Sequence, residues 1–426
     1  MKRAYIHGLG ALFFCVLLSS APAQTFFIWT GIGTGWQGQV TPPNDGTAIF
    51  YLPKAINESI PLSGNFSLNS ILLATGTSND TYKISAAAPL TLTIGTGIIS
   101  TGTGYGRLQL DPNINLAGVS TLAFDAGNSS IVIPGQITGS TALGLVSSNA
   151  ANTNGAFIFN NTGAGNTYTG TTSISGVTGS TVVTAFWNSS PFGTGAVNVF
   201  SSAQFIAHNN LTVTNAFTFS TVTPNDPVYF KSWDAPLTLS GPVTLSNNTT
   251  FVAQISQHGV ATPDNSGIFT TPGPGSRNPI VFTGNIGQTV SHSLTVGGQG
   301  VLILNPTSGT NTYTGGTIVN GSLVFGNNNA IPASGTTMVN NGGYAGIADT
   351  TPGNFATFLS HLNTTSTGAV GVDTLPGSSS TTVLTDNINL SGFTNPSIRI
   401  GTATSAILQG SAIWGSANEE PCAWSA

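Results

Sequence analysis

The sequence predicts an all-β fold, an elongated right-handed parallel β-helix (a β-solenoid) without disulfides, and three observations lead there. The first is composition. Thr, Val, Ile and Phe abound, whereas the helix formers Glu, Lys, Arg, Gln and Met are scarce. Only 5% of the 426 residues are charged, against roughly 25% in an average soluble domain. The chain is still 39% apolar, so it has material for a core and does not read as disordered. The second observation is a succession of short apolar runs, bounded by Gly, Asn or Pro and lacking helical period. The third is that long corners rich in Gly, Thr and Asn, rather than two-residue turns, join most of the runs. Asn320-Gly321 is the clearest hairpin-type dipeptide, and Asp45-Gly46 is another. A parallel β-helix pairs every interior strand on both sides. It stacks equivalent residues about 4.8 Å apart, which disfavours charge and favours ladders of Asn and Thr.

Taken in chain order, residues 1–23 have the form of a signal peptide. Lys2 and Arg3 precede the apolar stretch 8–18, and Ala21-Pro22-Ala23 supplies a small-x-small site, so cleavage is expected after Ala23 and the chain is expected to be secreted or held at the cell surface. The apolar stretch is too short to cross a bilayer, and no later one nears the roughly 18 apolar residues required, so no transmembrane segment is expected in the mature chain. Bulky Phe14 stands before Cys15 where a lipoprotein would carry a small residue. Cleavage would leave Cys422 alone, with no internal disulfide possible. It would also leave six basic against thirteen acidic residues, a net charge near −7. With no basic stripe, nucleic acid is not an expected partner.

Residues 24–50, which carry Trp29 and Trp36, form an N-terminal cap segment, and 51–412 the solenoid. Strand-like runs fall at 66–74, 89–99, 120–127, 129–137, 155–161, 180–187, 196–200, 236–245, 292–304 and 321–326. The tail 413–426 breaks composition at Glu419-Glu420-Pro421-Cys422 and has no strand alternation, so a truncated or frame-shifted end is expected there.

The heptapeptide NTYTGGT, 311–317, has a near copy, NTYTGTT, at 166–172. In the longer segment 301–343, Asn311, Tyr313, Thr314, Gly315, Gly316 and Thr317 form a corner. Gly321, Leu323 and Gly326 follow in a strand, and Asn341, Gly342 and Gly343 close the unit. This segment resembles the autotransporter-associated β-strand repeat, also called the passenger-associated transport repeat. A looser copy spans 155–200, with Thr171 in place of the second corner glycine. Trp29, Trp36 and 42–50 are similar to the opening of large secreted bacterial proteins that carry the repeat, and 69–98 to their first coil. The resemblance implies an exported bacterial β-helix, a passenger region served by outer-membrane export machinery, and no particular activity. No terminal β-barrel follows the repeats, which departs from the family's usual plan.

Right-handed β-helices also include polysaccharide lyases and polygalacturonases, so an enzyme is the alternative. Such chemistry needs clustered carboxylates beside basic groups. Asp111, Asp125, Asp226, Asp234, Asp264, Asp349, Asp373 and Asp386 are instead scattered, with few basic partners among Arg107, Lys231, Arg277 and Arg399. Asp226, Lys231 and Asp234 form the densest group, which a solvated loop explains as well as a site. His208, His258, His292 and His361 lack metal-binding spacing, and neither a calcium-binding glycine-rich nonapeptide nor a serine-nucleophile elbow occurs. Trp187, Trp233, Tyr229, Tyr313 and Tyr344 could stack on sugars, or simply cap coil corners. Asn-x-Ser/Thr sites at Asn128, Asn188, Asn247 and Asn363 follow from a composition rich in those residues. The reading is a non-enzymatic structural or adhesive protein with no catalytic, cofactor-binding or metal-ligating residue assigned and no cofactor. Surface polysaccharide or other matrix components are its expected partners.

Overall fold

The computed structural model describes residues 25–28 and, within 41–413, all but 53–57, 74–80, 87–88, 96–97, 101–106, 119–121, 127–128, 149–153, 162, 222–225, 234, 258–274, 277, 377, 379–380, 387, 391, 393–397, 401–404 and 409–411. The signal peptide, Trp29, Trp36, Asn128, Asp234, His258, Asp264, Arg277 and the tail 414–426 lie outside the described residues.

Strands of three or more residues pair in parallel with the strand one coil away, giving a solenoid with three faces. The first face is an 11-stranded sheet running from Thr25–Ile28 and Ala48–Leu52 to Ile286–Gln288. The second is a 12-stranded sheet from Glu58–Leu62 to Thr337–Val339. The third is split into four strands, Phe66–Leu68 to Ile137–Gly139, and eight, Leu211–Val213 to Ile398–Ile400.

Each longer apolar run turns out to be two strands meeting at a corner. The run 66–74 divides at Asn69 into Phe66–Leu68 on the third face and Ser70–Leu73 on the first. The run 129–137 divides at Pro134-Gly135, where a Cβ on Gly135 would lie 2.3 Å from the Pro112 carbonyl oxygen of the coil before. The run 292–304 turns at Gly298, whose φ of +94° favours glycine. Asn320-Gly321 is likewise no hairpin. It carries the chain from Thr317–Val319 on the second face to Ser322–Phe325 on the third, and Gly321 N–H donates to Val296 of the preceding coil.

Alternation places one side of each strand inside. Phe159, Phe186, Phe192, Phe205, Phe217, Phe219, Phe230, Phe251 and Phe282 are all buried and pack in a continuous axial column. Phe205 and Phe230 stack with ring centres 5.5 Å apart, and Phe251 and Phe282 stack at 5.3 Å. Burying one such ring contributes about 2 to 3 kcal/mol.

Beyond Ile286–Gln288 the first face stops being a sheet. Residues 311–314 lie on that last strand, through Thr312 N–H to Ile286. A 3₁₀ turn, Asn328–Ala330, follows in the next coil, and in the one after that a helix, Asn354–Ser360, points Phe355, Phe358 and Leu359 into the core.

Candidate functional site

The heptapeptide is built from the inside. In its first copy, Asn166 Oδ1 accepts from Ile137 N–H at 2.9 Å and Nδ2 donates to the Pro191 carbonyl at 2.7 Å. In the second, Asn311 accepts from Ile286 N–H at 2.8 Å and donates to the Ala330 carbonyl at 2.7 Å. Each buried amide therefore ties the coil before it to the coil after it. Tyr168 and Tyr313 are fully buried and bond Thr172 and Thr317 through their hydroxyls, at 2.6 and 2.8 Å. Burial pushes both phenols well above their ordinary pKa. Tyr313 thus belongs to the core and does not cap an exposed corner. The two copies also occupy different faces. Residues 167 and 169 bond Ile137 and Gly139 on the third face, whereas Thr312 bonds Ile286 on the first. The motif is a portable corner. Gly316 has φ +84°, and Thr171, which replaces that glycine in the first copy, has no positive φ.

Asparagine also links coils elsewhere, though seldom as an amide-on-amide ladder. Asn327 donates to Asn305 at 2.8 Å and Asn340 to Asn320 at 2.7 Å. More often the partner is backbone, as where Asn65 and Asn113 accept from Thr91 and Gln136 N–H, both at 2.9 Å.

Five of the described carboxylates, Asp111, Asp125, Asp349, Asp373 and Asp386, are engaged in the framework. Asp111 forms an ion pair with Lys83 at 2.8 Å, and Asp125 accepts from Ser148 of the next coil. Asp349 and Asp373 accept from Thr351 and Thr374 N–H, while Asp386 accepts from Phe355 and Ala356 N–H at the start of the helix. Among the described residues no three His, Cys, Asp or Glu side chains are placed to hold a metal. His361 Nδ1 lies 2.9 Å from the Thr357 carbonyl.

The outer surface of the second face is more unusual. Trp187, His208 and Trp233 stand one coil apart, each following a paired strand: Trp187 N–H bonds Phe159, His208 N–H bonds Phe186 and Trp233 N–H bonds Ala207. Trp187 and His208 stack at 3.9 Å with planes 3° apart, and His208 and Trp233 at 5.6 Å and 30°. Beneath them lies a satellite core of Val132, Ala156, Ile158, Val183, Ala185 and Ile206. Burial, with a smaller contribution from nearby Lys231, lowers the His208 pKa to about 4. Lys231 lies over the Trp233 ring at 4.6 Å, and burial lowers its pKa too. Of the densest sequence group, then, Lys231 joins this cluster, Asp226 forms no ion pair with it, and Asp234 lies outside the described residues. Trp187 and Tyr229 keep partial exposure, Trp233 is buried, and Tyr344 donates to the Val372 carbonyl at 3.0 Å. Sequence reading missed the Trp–His–Trp ladder because its members are 21 and 25 residues apart. That spacing, close to one coil, is the signal that could have found it.

No protein-family model, curated protein or solved structure matches the chain.

Proposed function

We propose that the chain is an exported structural and adhesive element, a stiff β-solenoid that acts as a stalk or matrix component of a bacterial surface, akin to an autotransporter passenger region. The observation that carries this reading is the in-register stacking of parallel strands, continuous over eleven strands on the first face and twelve on the second. Eleven strands on the first face at about 4.8 Å per coil make a body about 50 Å long on that face. A continuous phenylalanine column and coil-bridging asparagines favour reach and rigidity over a closable cleft. The engagement of Asp111, Asp125 and Asp386 in framework bonds supports a role other than polysaccharide cleavage.

Antibody raised against the purified chain is expected to label intact, unpermeabilised producer cells, and external protease to remove that label. Labelling that appears only after permeabilisation sinks the surface reading. Incubation with plant and bacterial polysaccharides is expected to release no new reducing or unsaturated ends, and their release would make the chain an enzyme.

A further inference from the structure

The middle coils of the second face carry polar chemistry on their outer side that the core does not require. Lys231 sits in register between Ile206 of the coil before and Gln254 of the coil after. In the neighbouring column Tyr229 lies between Gln204 and Val252. Gln204 Nε2 donates to Gln254 Oε1 at 2.7 Å across two coils, which holds both amides beside Tyr229 and Lys231. Trp187, Tyr229 and Lys231 are all partly exposed.

Lys231 is the odd member. Among the described residues no carboxylate lies within ion-pair distance of it, whereas Lys83, on the same face, has Asp111. Its ammonium is partly stripped of water, rests on an aromatic ring and has no described anion to offset the loss. Directly beyond Gln254 the chain leaves the solenoid. Ser256–Gln257 pairs with Gly275–Ser276, the one antiparallel pair among the described residues.

We propose that this strip docks one strand of an acidic polysaccharide, with a uronate carboxylate on the Lys231 ammonium, sugar rings against Tyr229 and Trp187, and hydroxyls on the amides of Gln204 and Gln254. Charge selects the ligand: a partly desolvated cation with no carboxylate partner among the described residues favours an acidic glycan over a neutral one. Flat aromatic and amide groups suit the alternating apolar and hydroxyl faces of a pyranose chain. The inference rests on the adhesive reading for the class of partner.

The test is calorimetric titration of the purified full chain with polygalacturonate and with its fully methyl-esterified form, which keeps the backbone and removes the charge. Polygalacturonate is expected to bind, more weakly as NaCl rises, and the ester to bind at least about tenfold less well. Lys231→Met is expected to weaken binding of polygalacturonate about tenfold and Lys231→Arg to retain it. Equal binding of the two polymers, binding of neither, or undiminished binding by a folded Lys231→Met chain overturns the proposal. If Lys231→Met does not fold, the ester comparison on the native chain decides. A chain that labels on intact cells but ignores polygalacturonate ends the docking inference alone. One that binds polygalacturonate but stays inside the cell ends the surface reading alone.

Discussion

Asn311 illustrates how much depends on a single amide. Its two bonds satisfy an N–H of one coil and a carbonyl of another, both buried, where water cannot replace them. Asn311→Ala is expected to cost about 3 kcal/mol in urea unfolding, the usual scale for orphaning buried polar groups. Asn311→Asp should be worse at neutral pH, since a carboxylate oxygen would face the Ala330 carbonyl. Part of that loss should return in acid, where a protonated carboxyl can donate. His208 gives the opposite pH response. Its folded pKa, about 4, lies below the 6.5 of an unfolded histidine, so the fold favours the neutral ring. Stability is complete above pH 6.5, declines as pH falls towards 4 and levels off below, by on the order of 3 kcal/mol in all. Among the described residues, Trp187, Trp233 and Lys231 bear on the ring. Urea midpoints across that window should fall for the native chain and stay flatter for His208→Gln. Both residues were visible in the sequence, but only the heptapeptide announced itself, by repetition. His208 needed knowledge of which residues lie one coil apart.

At the scale of elements, the helix Asn354–Ser360 could not stand alone, since seven residues barely complete nucleation. It persists because three apolar side chains enter the core and because Asp386, from the following coil, accepts from the N–H groups of its first turn. Asp386→Ala is therefore expected to speed hydrogen exchange at Phe355 and Ala356 while leaving Leu294–Gly297 and Val301–Leu304 protected. Exchange that rose equally in both regions would mean that the carboxylate supports the whole stack. Sequence reading did not identify this helix, because its cap lies about thirty residues downstream and its neighbours are all strands. The strands were easier, through their β-branched and aromatic runs. Their division into pairs was hidden, because Asn69 or Gly298 turns a corner where a hairpin signal would have reversed the chain.

For the molecule as a whole, low charge has a measurable result. Among the described residues there is one ion pair, Lys83 with Asp111, and the stack is held mainly by apolar burial and by hydrogen bonds, few of which involve a carboxylate. The melting temperature is expected to change little between low and moderate NaCl, where salt acts mainly by screening. A steep dependence would reveal charge networks outside the described residues. Fold class was legible at this scale because composition and run spacing are global properties. The outer strip on the second face was not, since it arises from register. Register also explains why the excursion between Gln257 and Gly275 leaves the coils undisturbed. Leu239 still meets Phe282, Leu245 meets Gln288 and Val252 meets Gly297 across it. Neighbouring coils recognise each other through strand pairing and not through the length of chain between them. The site between Ser256–Gln257 and Gly275–Ser276 is accordingly a natural graft point: a foreign domain whose ends lie one strand spacing apart could be displayed there without altering the rod that carries it.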